Sequence, residues 1–216
     1  VDFKNPCYQK LLKKMATLAP SVFCSDVIMR DTSDDREYVV ADEYIVMKPQ
    51  SAMKQTKTAL MLQENIADDI ADYLTGDSYS GMVEVQEIFT GTRVPSITFD
   101  KYVRRIITQT NKWLHEKDGP DSTGVRVAVL GIQFLEKAGF VLTRENIHRC
   151  FLIATLLGLK LLDDGYMSNT YWSHVGGIFL REVNDLEIAF CNALKWDFNI
   201  CSEEHKERMA IFTSVC

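Results

Sequence analysis

Lys160 and Glu187 are the two side chains whose surroundings could make a working site. Lys160 has Leu156, Leu157 and Leu159 at i−4, i−3 and i−1, inside an otherwise apolar run. A lysine there either lays its stem over apolar surface and offsets a helix C-terminus, or meets an anion from another element. Glu187 lies beside Val183, Leu186 and Phe190, on the apolar side of its own segment. It also follows Asn184 by three residues, the spacing of an N-cap with an N3 carboxylate. The alternative is that Lys160 and Glu187 meet across adjacent helices and present donors and acceptors to a partner. Asp163 and Asp164 follow Lys160 closely. Adjacent helical residues point about 100° apart, so these two carboxylates are poorly placed to share one ion.

Other chemistry finds little support. The chain has no GxxxxGK[ST], GxGxxG or HExxH. Its histidines, His115, His148, His174 and His205, are scattered without metal-ligand spacing. No serine or cysteine sits in a nucleophile motif. The expectation is therefore no catalytic residue, no metal and no cofactor. The net charge is −6, with five of the six excess negative charges in residues 1–95. No strongly basic face is expected, which argues against nucleic acid as a partner. The cysteines, Cys7, Cys24, Cys150, Cys191, Cys201 and Cys216, form no CxxC pair. Cys150 and Cys191 fall in apolar helical patterns, where free cysteine acts as a small hydrophobe. A reducing intracellular setting, nucleus or cytoplasm, with no membrane association, fits this usage.

The elements that must position Lys160 and Glu187 are helices. From Ile147 to Leu162 the chain is apolar on nearly every side, too long for a strand and too short for a membrane span. Such a helix belongs in the middle of a bundle. Before it, Phe99, Tyr102, Val103, Ile106, Ile107, Thr110, Trp113 and Leu114 recur at helical spacing. A helix from Ser122 to Lys137 ends at Gly139. After it, helices are expected over Asn169–Leu180, Asn184–Trp196 and Ser202–Val215. Upstream, the pattern predicts helices over 5–18 and 51–74, the latter capped by Ser51, with an irregular stretch over 21–50. Residues 77–95 read as a connector.

The residues carry a resemblance. A lysine followed by paired acids, then a helix bearing a glutamate, is similar to the core of the cyclin box. Lys160-Leu161-Leu162-Asp163-Asp164, Ser168-Asn169-Thr170-Tyr171-Trp172, Val175-Gly176-Gly177-Ile178, Glu182-Val183-Asn184 with Glu187, and Leu194-Lys195-Trp196 resemble the P-type cyclins. Pro95-Ser96-Ile97, Arg105 and His148-Arg149-Cys150-Phe151-Leu152 fit the same pattern. The resemblance runs from about Pro95 to Ile200.

It implies an all-α fold: a single five-helix cyclin box over 95–200, with additional N-terminal (within 1–94) and C-terminal (201–216) helices. It implies a regulatory subunit, not an enzyme, that binds a cyclin-dependent protein kinase and holds the kinase C-helix in its active position. Lys160 and Glu187 match the box residues that bind the kinase. Asp163, Asp164, Leu157, Phe190 and Leu194 would line the groove. The alternative is a cyclin-fold adaptor that activates no kinase. The resemblance also implies that Arg105 ties the first box helix to the second through an aspartate, where this chain has Gln133. The apolar substrate-docking positions of the first box helix become Thr108 and Asn111. Gly176-Gly177 marks a close helix–helix approach.

Overall fold

The structure, a computed structural model, describes residues 57–162 and 168–214. Among the described residues there are seven helices. We number them α1 (Lys57–Thr75), α2 (Phe99–Trp113), α3 (Thr123–Ala138), α4 (Ile147–Leu162), α5 (Asn169–Gly176), α6 (Leu180–Ala193) and α7 (Ser202–Thr213). The helix expected over 5–18, the irregular stretch 21–50 and the Ser51 cap lie outside the described residues. The all-α fold is as expected. No described helix is long and apolar enough to cross a membrane.

The bundle is organised around α4, whose bounds are those read from the sequence. Every residue from Cys150 to Leu159 is buried. α3 is its closest neighbour: a side chain at Gly131 would meet Thr155 Cγ2 at 2.9 Å. α3 opens on Ser122, whose hydroxyl accepts from Val125 N, and closes on Gly139 at φ 66°, as expected. α2 buries its apolar stripe with one exception. Trp113 is 38% exposed and packs on Tyr171 with ring centroids 4.9 Å apart.

The two outer helices are held by specific contacts. Arg104 of α2 forks onto Asp68 of α1, with Nε–Oδ1 at 3.1 Å. α7 returns across α1 and α3: Tyr73 hydrogen-bonds Glu136, Arg208 Nη2 reaches Glu136 Oε2 at 2.9 Å, and Phe212 meets Tyr73 edge-on. The connector after α1 is ordered. A 3-10 turn, Glu87–Phe89, drives Phe89 fully into the core against Phe140 and Phe190.

A buried polar node joins α1, α2 and α3. Asn111 is 1% exposed, and its Nδ2 lies 3.0 Å from Gln63 Oε1, 2.8 Å from Asp118 Oδ1 and 3.1 Å from Ser122 Oγ. Its Oδ1 accepts from Gly124 N at 2.8 Å. Gln63 Nε2 also approaches Thr108 Oγ1. Both positions equivalent to the substrate-docking patch therefore face α1, and Asn111 is part of the core.

Arg105 does not reach Gln133. It donates to the His174 carbonyl at 2.9 Å, while Gln133 Oε1 pairs with His205 Nδ1 at 2.7 Å. With no aspartate to anchor it, the guanidinium caps a carbonyl of α5 instead.

Two outcomes are expected. Asn111→Ala removes an amide that four buried or half-buried groups share, and should cost about 2–3 kcal/mol in urea unfolding; a loss below about 0.5 kcal/mol would show that water replaces it. Burial lowers the pKa of His148, and burial with the nearby Arg126 lowers that of His205. Both folded values lie below the ordinary 6.5, so the unfolded chain binds more protons and stability falls as pH drops below that value. The urea midpoint should decrease from about pH 7.5 to about pH 5.5, and His148→Phe should flatten that decrease.

Candidate functional site

α4 ends where its wrapping ends, and Lys160 stands in that last turn. α5 and α6 form the other side. α5 begins at the Ser168 cap, whose hydroxyl accepts from Tyr171 N. It is held down by buried Trp172 and by Tyr171, whose hydroxyl donates to the Gln109 carbonyl at 3.2 Å. At its far end a side chain on Gly176 would lie 2.2 Å from Leu152 Cδ2, so this glycine makes the expected close approach. α5 stops there, short of the expected Leu180, because Gly177 adopts φ +69°.

α6 begins at Leu180, four residues before the expected start. Asn184 is therefore not an N-cap, and Glu187 is not an N3 carboxylate. The N-cap is Phe179, which offers no side-chain hydrogen bond. The inward period Val183, Leu186, Phe190 continues through Asn184, and packing overrides the local capping signal.

Lys160 Nζ and Glu187 Oε1 meet at 2.5 Å. The two side chains are 15% and 17% exposed, so the pair is drier than a surface ion pair. Asn169 completes it: its Nδ2 reaches Glu187 Oε2 at 2.7 Å and Asn184 Oδ1 at 2.8 Å. Sequence reasoning placed Asn169 at the start of this helix and within a motif but gave it no role; its contact with Glu187 is a tertiary fact. A second ion pair went unread. Arg149 Nε meets Glu182 Oε1 at 2.6 Å and links the first turns of α4 and α6.

The other expected groove residues separate. Leu157, Phe190 and Leu194 are 3%, 0% and 4% exposed. All three belong to the buried core and do not line an open groove in this conformation. Phe190 stacks edge-on with Phe140 at 5.3 Å. Asp163 and Asp164 lie outside the described residues. The apolar groups that do reach the surface of this region are Leu162, Phe179, Leu180 and Ile188. Leu180 lies seven residues before Glu187, on the same face of α6.

Among the described residues no three His, Cys, Asp or Glu side chains are grouped to hold a metal. The nearby Cys191 thiol is pushed up to about 12, chiefly by burial and then by the Glu187 charge, so it stays protonated. Burial likewise raises Cys150.

The cyclin family model matches residues 39–200, a range that takes in α1 as well as α2–α6. The chain is 29% identical to Cyclin-U4-1 of Arabidopsis thaliana over 113 residues, 52% of this chain and 53% of that protein. It is 28% identical to Cyclin-U4-3 of the same plant over 152 residues, 64% of this chain and 66% of that protein. It is 28% identical to Cyclin-P4-1 of Oryza sativa subsp. japonica over 128 residues, 59% of this chain and 54% of that protein. The chain thus spans about half to two thirds of the length of these curated relatives.

The Lys160–Glu187 contact should register in a double-mutant cycle. Lys160→Ala and Glu187→Ala should each cost about 1–3 kcal/mol in urea unfolding, and the double variant less than their sum. Simple additivity would mean that the two charges do not interact.

Proposed function

The chain belongs to the cyclin family, and from that premise we propose that it is the regulatory subunit of a cyclin-dependent protein kinase. In this reading it binds the kinase next to the C-helix and holds that helix in the active position. The helix matters because its glutamate pairs with the lysine that anchors ATP, and phosphoryl transfer needs that pair in place. The family is regulatory, so the catalytic groups belong to the partner.

The observation that carries the proposal is the Lys160–Glu187 pair at 2.5 Å, held by Asn169 at the end of the central helix. A lysine ammonium has three donors and a carboxylate about four acceptor sites, more than the pair and Asn169 consume. The remainder is available to main-chain groups of the kinase segment that precedes its C-helix. Leu180 and Ile188 on α6 and Leu162 at the end of α4 are exposed and would supply apolar contact to the same partner. Asp163 and Asp164, which follow Lys160 in sequence, belong to the same proposed surface. Leu157, Phe190 and Leu194 contribute from below by fixing how α4 and α6 lie. A kinase partner of this class places the chain inside the cell, in the nucleus or cytoplasm.

The test uses purified cyclin-dependent kinases, titrated with this chain while phosphate transfer to a peptide is followed. At least one kinase should be activated. Lys160→Ala or Glu187→Ala should weaken its binding by about 2–5 kcal/mol, roughly 30-fold or more, with circular dichroism unchanged. Binding without activation would identify an adaptor. Undiminished binding by both folded variants would remove the pair from the interface.

A further inference from the structure

The first residue of α5 divides one amide between two residues of α6. Asn169 stands directly after the Ser168 cap. Its Nδ2 has two hydrogens to give. One goes to Glu187 Oε2 at 2.7 Å and the other to Asn184 Oδ1 at 2.8 Å. Asn184 and Glu187 are three residues apart and so share a face of α6. Asn169 Oδ1 is left buried without a hydrogen-bond partner. Turning the amide over would set that oxygen against the Glu187 carboxylate. The orientation is therefore fixed by α6, at the expense of the asparagine's own carbonyl.

The Glu187 carboxylate is held from two sides. Lys160 of α4 takes Oε1 at 2.5 Å, and Asn169 of α5 takes Oε2. The last torsion of a glutamate is broad, so one donor alone would let the carboxylate turn. Two donors on different helices fix its plane, and with it the direction of the acceptor sites that remain. Asn184 is exposed, and with Oδ1 taken by Asn169 its amide nitrogen is the group left for a partner. α5 holds its own place, because Ser168 caps it and Trp172 is buried beneath it. The helix itself gains little from this residue. Asparagine is a poor helix former, and a carboxylate would suit the first turn better.

We propose that Asn169 is the positioning residue of the partner-binding face: its amide presents Glu187 and Asn184 together, pre-set for the main-chain groups of the kinase. The inference rests on the kinase reading above. Asn169 acts through Glu187. Ordering a side chain in advance lowers the cost of association, so this residue sets how tightly the chain binds and not how fast the bound kinase works.

The test titrates the kinase that the parent chain activates with variants of the full chain, and reads half-activating concentration and maximal rate separately. Asn169→Ala should raise the first about tenfold and leave the second at the parent's value. In a Glu187→Ala background the same substitution should change it by less than about twofold. Asn169→Asp separates positioning from a purely structural role. It keeps the size of the side chain and puts an acid in the first turn of α5, so circular dichroism should be unchanged. It also sets a carboxylate against Glu187, so it should bind more weakly than Asn169→Ala. Adding Glu187→Gln restores a donor–acceptor match and should recover part of that loss. Undiminished binding by Asn169→Ala, a loss that persists in full in the Glu187→Ala background, or a lower maximal rate at saturation would overturn the inference. If Glu187→Ala weakens binding and Asn169→Ala does not, the kinase reading stands and only the positioning role falls. If Glu187→Ala itself has no effect, both fall.

Discussion

A helix with no polar side can meet water on no side. α4 is such a helix, and the rest of the bundle follows from that constraint. α2, α3, α5 and α6 surround it, and α1 and α7 close over α2 and α3. Wrapping can stop only where the helix stops. Its last turn therefore surfaces with Lys160, while Ile147 and His148 of its first turn stay buried beneath a cleft.

The ion pair at the first end is a poor source of stability. Two charges at about one-sixth exposure lose hydration, and mutual attraction does little more than offset that loss. Its value is positional. Asn169 fixes the carboxylate, α5 fixes Asn169, and Gly176 lets α5 lie close on α4. The Arg149–Glu182 pair acts at the other end of the same contact. Two ion pairs at separate points along α4 set the angle of α6 more tightly than apolar packing alone, which tolerates sliding.

Legibility followed the strength of the local signal. The bounds of α4 could be read because an apolar run of that length has one solution. α6 was misplaced because Asn184 with Glu187 imitates a cap, while Phe179, the residue that does stand at the N-cap, gives no sign of it. Phe89 and Phe140 were missed because they lie outside the long helices, and periodicity is silent there. Asn111 was missed because a polar residue on an apolar stripe looks like an exposed break until its four partners are known. Leu157, Phe190 and Leu194 were expected at a groove, although their spacing on the inward faces was already that of core residues.

The sequence alone determined the fold class, the central helix, the helices around it and the family, since each of these depends on period and composition over many residues. It also singled out Lys160 and Glu187, because a charge in an apolar setting is conspicuous without coordinates. Only the tertiary structure decided that the two charges touch, that Asn169 holds Glu187, that Arg105 turns to α5, and that loops distant in sequence enclose a cleft. These are relations between segments tens of residues apart. Local preferences cannot specify such relations, because they arise when the chain closes around its apolar helix and surrenders its remaining freedom.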